Sequence, residues 1–408
     1  MPLLRAGLLT GALLVLPAAL GAQQAGQDKP KGESEIVVTA RPLAETEKAL
    51  ADCIARPCPP AEDIKASLRH AENQFLHGDY WAALGTLRQS GGRNRRYREQ
   101  AGPEFADLMR ATALVSRHVG LDDIYRTSTL SAQEVLADTR PPNDPAILTA
   151  ELETGDMYGH LSRAAEAENS YRSVLGTAKK AGLPDVAASA RLRIVNLYIA
   201  KAARPAVQAL YLRKAHAILD EMAADPDPRA QRFLLAGKLM VARIAANRGD
   251  ERELDAALAY YRAHATSLNP VLITAKVVDL RESGLGDGGL VNAANRYPAQ
   301  LMDGQWLDVA FWVKPDGHVD DVDILRKSKR LTGPWSAEVL KSVRGRRYAP
   351  LPLPPLDPGV LRIERYTYTA PFERTTGSKI MKRSPHGRIE IVDLSNDAGA
   401  PPAARPAD

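Results

Sequence analysis

Cysteine is almost missing from this chain: its 408 residues include two, Cys53 and Cys58, both in "DCIARPCPP". A scaffold built on many disulfides is thereby excluded. So is a four-ligand metal module, because two thiols are half a site and no nearby cluster completes it. Two close thiols predict one local disulfide between Cys53 and Cys58, contributing about 2 kcal/mol and stiffening the entry to the next helix.

Aromatic residues are scarce at 5%, and the eight histidines are scattered without metal-ligand spacing. Neither a GxSxG elbow nor a Walker-type loop occurs. "SGLGDGGL" (residues 283–290) follows an apolar run as a dinucleotide loop does, but Pro298 cuts short the helix such a loop needs. Asp316, Asp320, Asp321 and Asp323 lack calcium-loop spacing and read as the wet face of a hairpin. These absences leave no catalytic residue, no metal and no cofactor to assign, and the chain reads as a non-enzyme. A net charge of +5 is too diffuse for nucleic acid and suits an anionic envelope surface. The basic run "GGRNRRYRE" (residues 91–99) reads as a solvated loop.

Long apolar runs are lacking too, with one exception at the front. Arg5 precedes "AGLLTGALLVLPAALGA", which contains Pro17 and ends on Gly21-Ala22. This pattern predicts a secretory signal over residues 1–22, cut near Ala22, and an exported, periplasmic chain. The alternative is an uncleaved inner-membrane anchor, although the run falls short of the roughly 20 residues a spanning helix prefers. Residues 23–60 read as a flexible leader. Within it Glu35, Ile36, Val37, Val38, Thr39 and Ala40 form an isolated β-prone run, followed by a helical-looking segment from Leu43.

The middle of the chain has helical periodicity. Ile64, Leu68, Ala71 and Phe75 share a face, the Gly78-Asp79-Tyr80 turn follows, and Ala82, Ala83 and Leu87 begin a second helix. Similar hairpins begin near Pro103, Asp144, Asp185 and Asp227. Asp185, Asp225 and Asp227 are candidate caps, and Pro205 and Pro228 suit first-turn positions. Residues 61–267 thus resemble tetratricopeptide-type repeats, with a spacing near ~40 residues rather than ~34. Such a solenoid implies either a protein-binding surface or a helical spacer.

After Pro270 the period changes to two. Leu307, Val309, Phe311 and Val313 alternate with Asp308, Ala310, Trp312 and Lys314. Pro315-Asp316-Gly317 turns the chain into a second strand with Val322 and Ile324. Residues 334–346 read as an amphipathic helix buried through Trp335, Val339, Leu340 and Val343. Residues 360–372 read as a third strand. The predicted fold class is therefore multidomain, α then α+β: an α-solenoid of hairpins followed by a small β-β-α-β domain over 268–375. A tail over 376–408 includes a possible strand at 387–395.

The Pro315-Asp316-Gly317 turn, Val319, Val322, Trp335 and the ending Arg347-Tyr348-Ala349-Pro350 make residues 297–372 resemble the carboxy-terminal domain of TonB, the periplasmic energy transducer. Arg346 stands where that ending usually has tryptophan, and Tyr297-Pro298 resembles the family's tyrosine-proline segment. The resemblance implies a role in transport across the envelope through protein contacts. A segment of a TonB-dependent outer-membrane receptor adds as a strand to the last strand, here Val360, Leu361, Arg362, Ile363, Glu364, Arg365, Tyr366, Thr367, Tyr368 and Thr369, with Tyr297 and Pro298 nearby. The alternative is that the tail strand 387–395 covers this edge.

Glu35–Ala40 in turn resembles the TonB box of such receptors. It implies docking on a TonB-type sheet, in this chain or in another. A second function compatible with the residues is an envelope-organising scaffold. Its hairpins would bind other periplasmic or peptidoglycan-associated partners.

Overall fold

The computed structural model of the chain describes residues 42–56, 58–246, 251–264, 268–276, 278, 280, 299–374 and 380–395. The predicted signal, the β-prone run Glu35–Ala40, the glycine-rich loop 283–290 and Tyr297-Pro298 lie outside the described residues.

Among the described residues, helix α1 (Leu43–Ala55) leads into five hairpins. They are α2 (Pro60–Leu76) with α3 (Tyr80–Asn94), α4 (Gly102–His118) with α5 (Asp122–Thr139), and α6 (Pro145–His160) with α7 (Ala164–Lys180). Then come α8 (Pro184–Ala202) with α9 (Gln208–Ala223), and α10 (Pro228–Ala246) with α11 (Glu251–His264). Pro60, Pro145, Pro184 and Pro228 each open a helix, where a missing N–H leaves no bond unmade.

The Asp79 and Asp144 carboxylates accept the N–H groups of Ala82 (3.2 Å) and Ala146 (2.8 Å). Asp227 accepts from the Arg229 N–H (2.9 Å). Asp185 is not the cap expected of it: Leu183 holds that position, and Asp185 lies inside the first turn of α8, where its charge still favours the helix amino terminus. The basic run at 91–99 is likewise more ordered than a loop. Its first four residues complete α3, and Arg95–Tyr97 form a 3-10 turn.

The hairpins stack because small residues let their helices approach. Ala167, Ala178, Ala188, Ala190 and Ala215 are fully buried, while Tyr171, Tyr198, Ile194 and Met222 fill the intervals. Among the described residues, no helix is long and apolar enough to cross a membrane.

Beyond the hairpins, β1 (Leu272–Thr274) and α12 (Ala299–Met302) precede β2 (Trp306–Val313) and β3 (Val319–Lys327). Helix α13 (Trp335–Arg344), β4 (Arg347–Tyr348), β5 (Val360–Thr369), β6 (Phe372–Arg374), β7 (Met381–Arg383) and β8 (Arg388–Asp393) follow. The main sheet is antiparallel, in the order β3-β2-β5-β8, while β1 pairs with β4 and β6 with β7. The predicted β-β-α-β succession is present, and the tail supplies a fourth strand.

Period-two alternation gives the sheet two faces. Leu307, Val309, Phe311, Val313, Tyr366 and Tyr368 pack against Trp335, Val339 and Val343 of α13. The opposite face carries Trp306, Asp308, Arg365, Thr367 and Thr369, and it too is buried, against the first two hairpins. Trp306 joins the cluster of Phe75, Tyr80 and Leu84, and Thr369 donates from Oγ1 to the His118 carbonyl (3.1 Å). The repeats and the sheet form a continuous packed structure rather than a scaffold and a separate tail domain.

Two hairpin turns explain how closely they meet. Gly78 (φ +82°) and Gly120 (φ +73°) are left-handed, as such turns require. A Cβ at Gly78 would overlap Trp306 Nε1, and one at Gly120 would stand 2.8 Å from Pro371 Cα. The turn glycines are also the docking points of the sheet.

Candidate protein-interaction site

The strand expected to receive a partner, β5, is internal to the sheet. One side pairs with β2 from Val360 to Thr367. On the other, Glu364 to Thr369 pair with Asp393 to Arg388 of β8. The Leu394 N–H donates to the Ile363 carbonyl (2.8 Å), and the Ile363 N–H donates to Ser395 Oγ (3.0 Å). Of the two arrangements the sequence allowed for this edge, the one closed by the tail is found. The alternation in "RIEIVD" provides the closing strand.

Most of the proposed contact side chains are therefore occupied internally. Val360 and Leu361 lie opposite Val313 and Trp312, beyond the end of β8, and Arg362 pairs with Asp393 (2.6 Å). Ile363 is buried beside Ala310 and Leu394.

Glu364 is buried against Arg346 (2.8 Å), and the Tyr366 hydroxyl donates to the same carboxylate. The Arg346 guanidinium also donates to the hydroxyls of Tyr366 (2.7 Å) and Tyr348 (3.2 Å). Burial and then the neighbouring Glu364 push the Tyr366 hydroxyl well above its usual range. Burial alone would lower Arg346, but Glu364 and the two tyrosines outweigh it and raise its pKa. The arginine that replaces an expected tryptophan thus stands in a buried polar network on the α13 side.

On the opposite side Arg365 and Asp308 are both fully buried. Arg365 Nε donates to Asp308 Oδ1 (2.6 Å) and Nη2 to Oδ2 (2.9 Å), while Arg326 Nε donates to Oδ2 (2.8 Å). Arg365 also donates to the carbonyls of Phe75 and Leu76 and stacks 4.0 Å over the Trp306 ring. A buried pair this well bonded fixes alignment, and losing either partner costs about 3–5 kcal/mol. Thr367 Oγ1 meets both Tyr80 Oη and His118 Nδ1 at 2.9 Å. Tyr368 packs near Trp335.

β8 itself is anchored to three helices. Glu390, buried, accepts from Arg117 of α4 (Nη2 2.5 Å, Nε 3.2 Å) and from Arg388 Nε (2.6 Å), and His160 Nε2 of α6 lies 3.3 Å away. Burial would raise this carboxyl, but Arg117, His160 and Arg388 together hold it well below the usual carboxylate range. Arg388 in turn forks onto Asp122 of α5 (2.7 and 3.1 Å).

Glu390, Arg117, His118 and His160 were not legible as site residues. Their only sequence signal was Glu390's place in the alternating tail. The helical partners sit at helix ends as ordinary polar residues. Cys53 and Cys58 form the predicted disulfide, with Cα atoms 5.3 Å apart.

The fold and this site define the chain as a mostly helical repeat protein whose hairpins carry a carboxy-terminal antiparallel sheet. No family profile and no curated protein sequence match it. Among solved structures it is similar to BtubC (BKLC) from P. vanneervenii, at 14% identity and a TM-score of 0.41, covering 62% of this chain and 97% of that one. It is also similar to two structures of a Podosopora anserina putative kinesin light chain with nearly identical TPR-like repeats. The first, a single-substitution form, shares 16% identity at a TM-score of 0.39, covering 50% and 95% of the two chains. The other shares 15% identity at 0.38, covering 50% and 96%.

Proposed function

We propose that the chain is a non-catalytic protein-interaction module of a TonB-type envelope system, exported to the periplasm. In this reading the sheet recognises extended segments of outer-membrane receptors by strand addition, and the hairpins form the scaffold that presents it. The observation that supports it is the β2-β3-α13-β5 succession in an antiparallel sheet ending at β8. The Leu394 bond to Ile363 sets the alternation of the ladder, so Ile389, Ile391 and Asp393 turn their backbone groups away from β5. An edge of that kind offers main-chain bonds for affinity and alternate side-chain positions for selectivity.

The test is a titration of the full chain with peptides from the amino-terminal segments of TonB-dependent receptors, read by calorimetry and methyl NMR. Saturable binding with shifts confined to the sheet is expected. Binding no better than that of scrambled peptides overturns the reading.

The second reading, an envelope-organising scaffold, is favoured by the burial of Trp306, Asp308, Arg365, Thr367 and Thr369 of the sheet on the hairpins. It expects partners to cross-link to residues 61–267 even when the sheet is saturated with peptide. Loss of every such cross-link under saturation counts against it.

A further inference from the structure

The residues that hold β8 specify a strand position by position. Gly387 is required first, because a Cβ there would overlap the Tyr368 ring. Glu390 enters the pocket of Arg117 and His160. Ile389 and Ile391 pack on the α13 side, whereas Val392 packs on the side of the hairpins. The positions at Gly387, Glu390, Ile391 and Val392 thus favour Gly-x-x-Glu-Ile-Val in an extended strand antiparallel to β5, with Ile389 adding an apolar contact at the third place.

The chain holds that pattern twice. Gly32-Glu33-Ser34-Glu35-Ile36-Val37 repeats the glycine and the Glu-Ile-Val of Gly387-Arg388-Ile389-Glu390-Ile391-Val392 at the same spacing. We propose that Glu35–Ala40 is the alternative occupant of the β8 position. The edge of β5 is then a strand-exchange site, and β8 is its resident, a mimic of the leader. This rests on the strand-addition reading and adds a named competitor to it.

The point where the leader joins the fold suits such an exchange. Thr46 Oγ1 lies 3.0 Å from His70 Nδ1 and accepts from Asn73 Nδ2 (3.2 Å). The short connection from α1 to α2 makes these helices antiparallel, so Leu43 stands beside the last turn of α2. Leu76, at that turn, packs in one cluster with Val392 and Leu394 at the end of β8. A leader laid in the register and direction of β8 brings Ala40 to the position of Ser395. Arg41 and Pro42 then bridge to Leu43, a reach of about 10 Å.

Several positions rank the two occupants: Ile389, Asp393 and Leu394, which respectively pack, pair with Arg362 and are buried, give way to Ser34, Val38 and Thr39 in the leader. Arg388 is paired with Asp122, whereas the leader brings Glu33 to the same place. β8 is therefore the favoured resident. Asp122→Asn removes both the ion pair of β8 and the repulsion of Glu33.

The experiment adds a labelled Lys31–Pro42 peptide to full-length wild-type and Asp122→Asn protein, read by anisotropy and by hydrogen exchange. The expected result is about tenfold tighter binding to Asp122→Asn. Exchange should rise across 388–393 while 364–369 stay protected, and affinity should fall when the peptide carries Glu35→Gln. Val37→Pro in the Asp122→Asn chain, where β8 no longer holds that advantage, should tighten binding of added peptide further, by disabling the tethered competitor. Saturable binding with β8 still protected overturns the exchange while leaving strand addition intact. No binding of this peptide, when receptor peptides do bind, removes the leader as occupant. Failure of both removes both readings.

Discussion

Single atoms at two turn glycines and one histidine set how the sheet meets the helices. Gly120 turns α4 into α5 and Gly182 joins α7 to α8, both with positive φ, +73° and +66°. A Cβ at Gly182 meets nothing within 4 Å, whereas at Gly120 it meets Pro371 Cα at 2.8 Å and the Ala370 carbonyl at 2.9 Å. Gly182→Ala should cost about 1 kcal/mol from the backbone alone, and Gly120→Ala clearly more, toward about 3 kcal/mol. Equal losses in chemical denaturation would show that the seam tolerates the extra atom.

His118 gives the seam a pH dependence. Burial pushes its ring down to about 3, with Arg117, Arg365 and Arg388 adding to the effect and Glu390 opposing it. The unfolded chain binds this proton near pH 6.5 and the folded chain does not. The stability contributed is therefore full above about pH 6.5 and is lost progressively as pH falls toward 3. Melting temperatures should decline between pH 6.5 and 4, and His118→Asn should flatten that slope; an unchanged slope would assign it to other groups.

Among elements, the hairpins were the most legible. Their apolar faces repeat at helical spacing, and prolines and aspartates mark their starts, so local residues decide them. β2, β3 and α13 were legible for the same reason. β8 was visible only as one of two possibilities, because a six-residue alternating segment carries no information about which edge it joins. Its place depends on Glu390 meeting Arg117 from 273 residues away. Helix α1 depends on a nearer contact, the Cys53–Cys58 bridge. Replacing both cysteines by serine should cost about 2 kcal/mol. Hydrogen exchange should rise first across residues 43–55, the helix from which the leader departs. Protection unchanged under reducing conditions would show that packing on α2 suffices.

At the scale of the molecule, burial of the second sheet face changes what the carboxy-terminal region is. Asp308, Arg365, Thr367 and Thr369 are fully buried in the chain. Removing the hairpins would expose an ion pair and two hydroxyls whose partners are Phe75, Leu76, Tyr80 and His118. Residues 268–408 expressed alone should therefore give a poorly dispersed NMR spectrum and no cooperative melt. A dispersed spectrum would restore the independent domain that the change of period near Pro270 suggests.

Sequence by itself determined the helices of the hairpins, β2, β3 and α13, and which stripe of each is apolar. Those properties follow from periodicity, caps and turn residues within a few positions of one another. It also determined the disulfide, whose partners are five residues apart. Tertiary structure alone decided that β2 and most of β5 are buried on both faces, that β5 is an inner strand, and that Glu390 is a buried anion. Each depends on charges and backbone edges far apart in the chain, and only packing sets their distances.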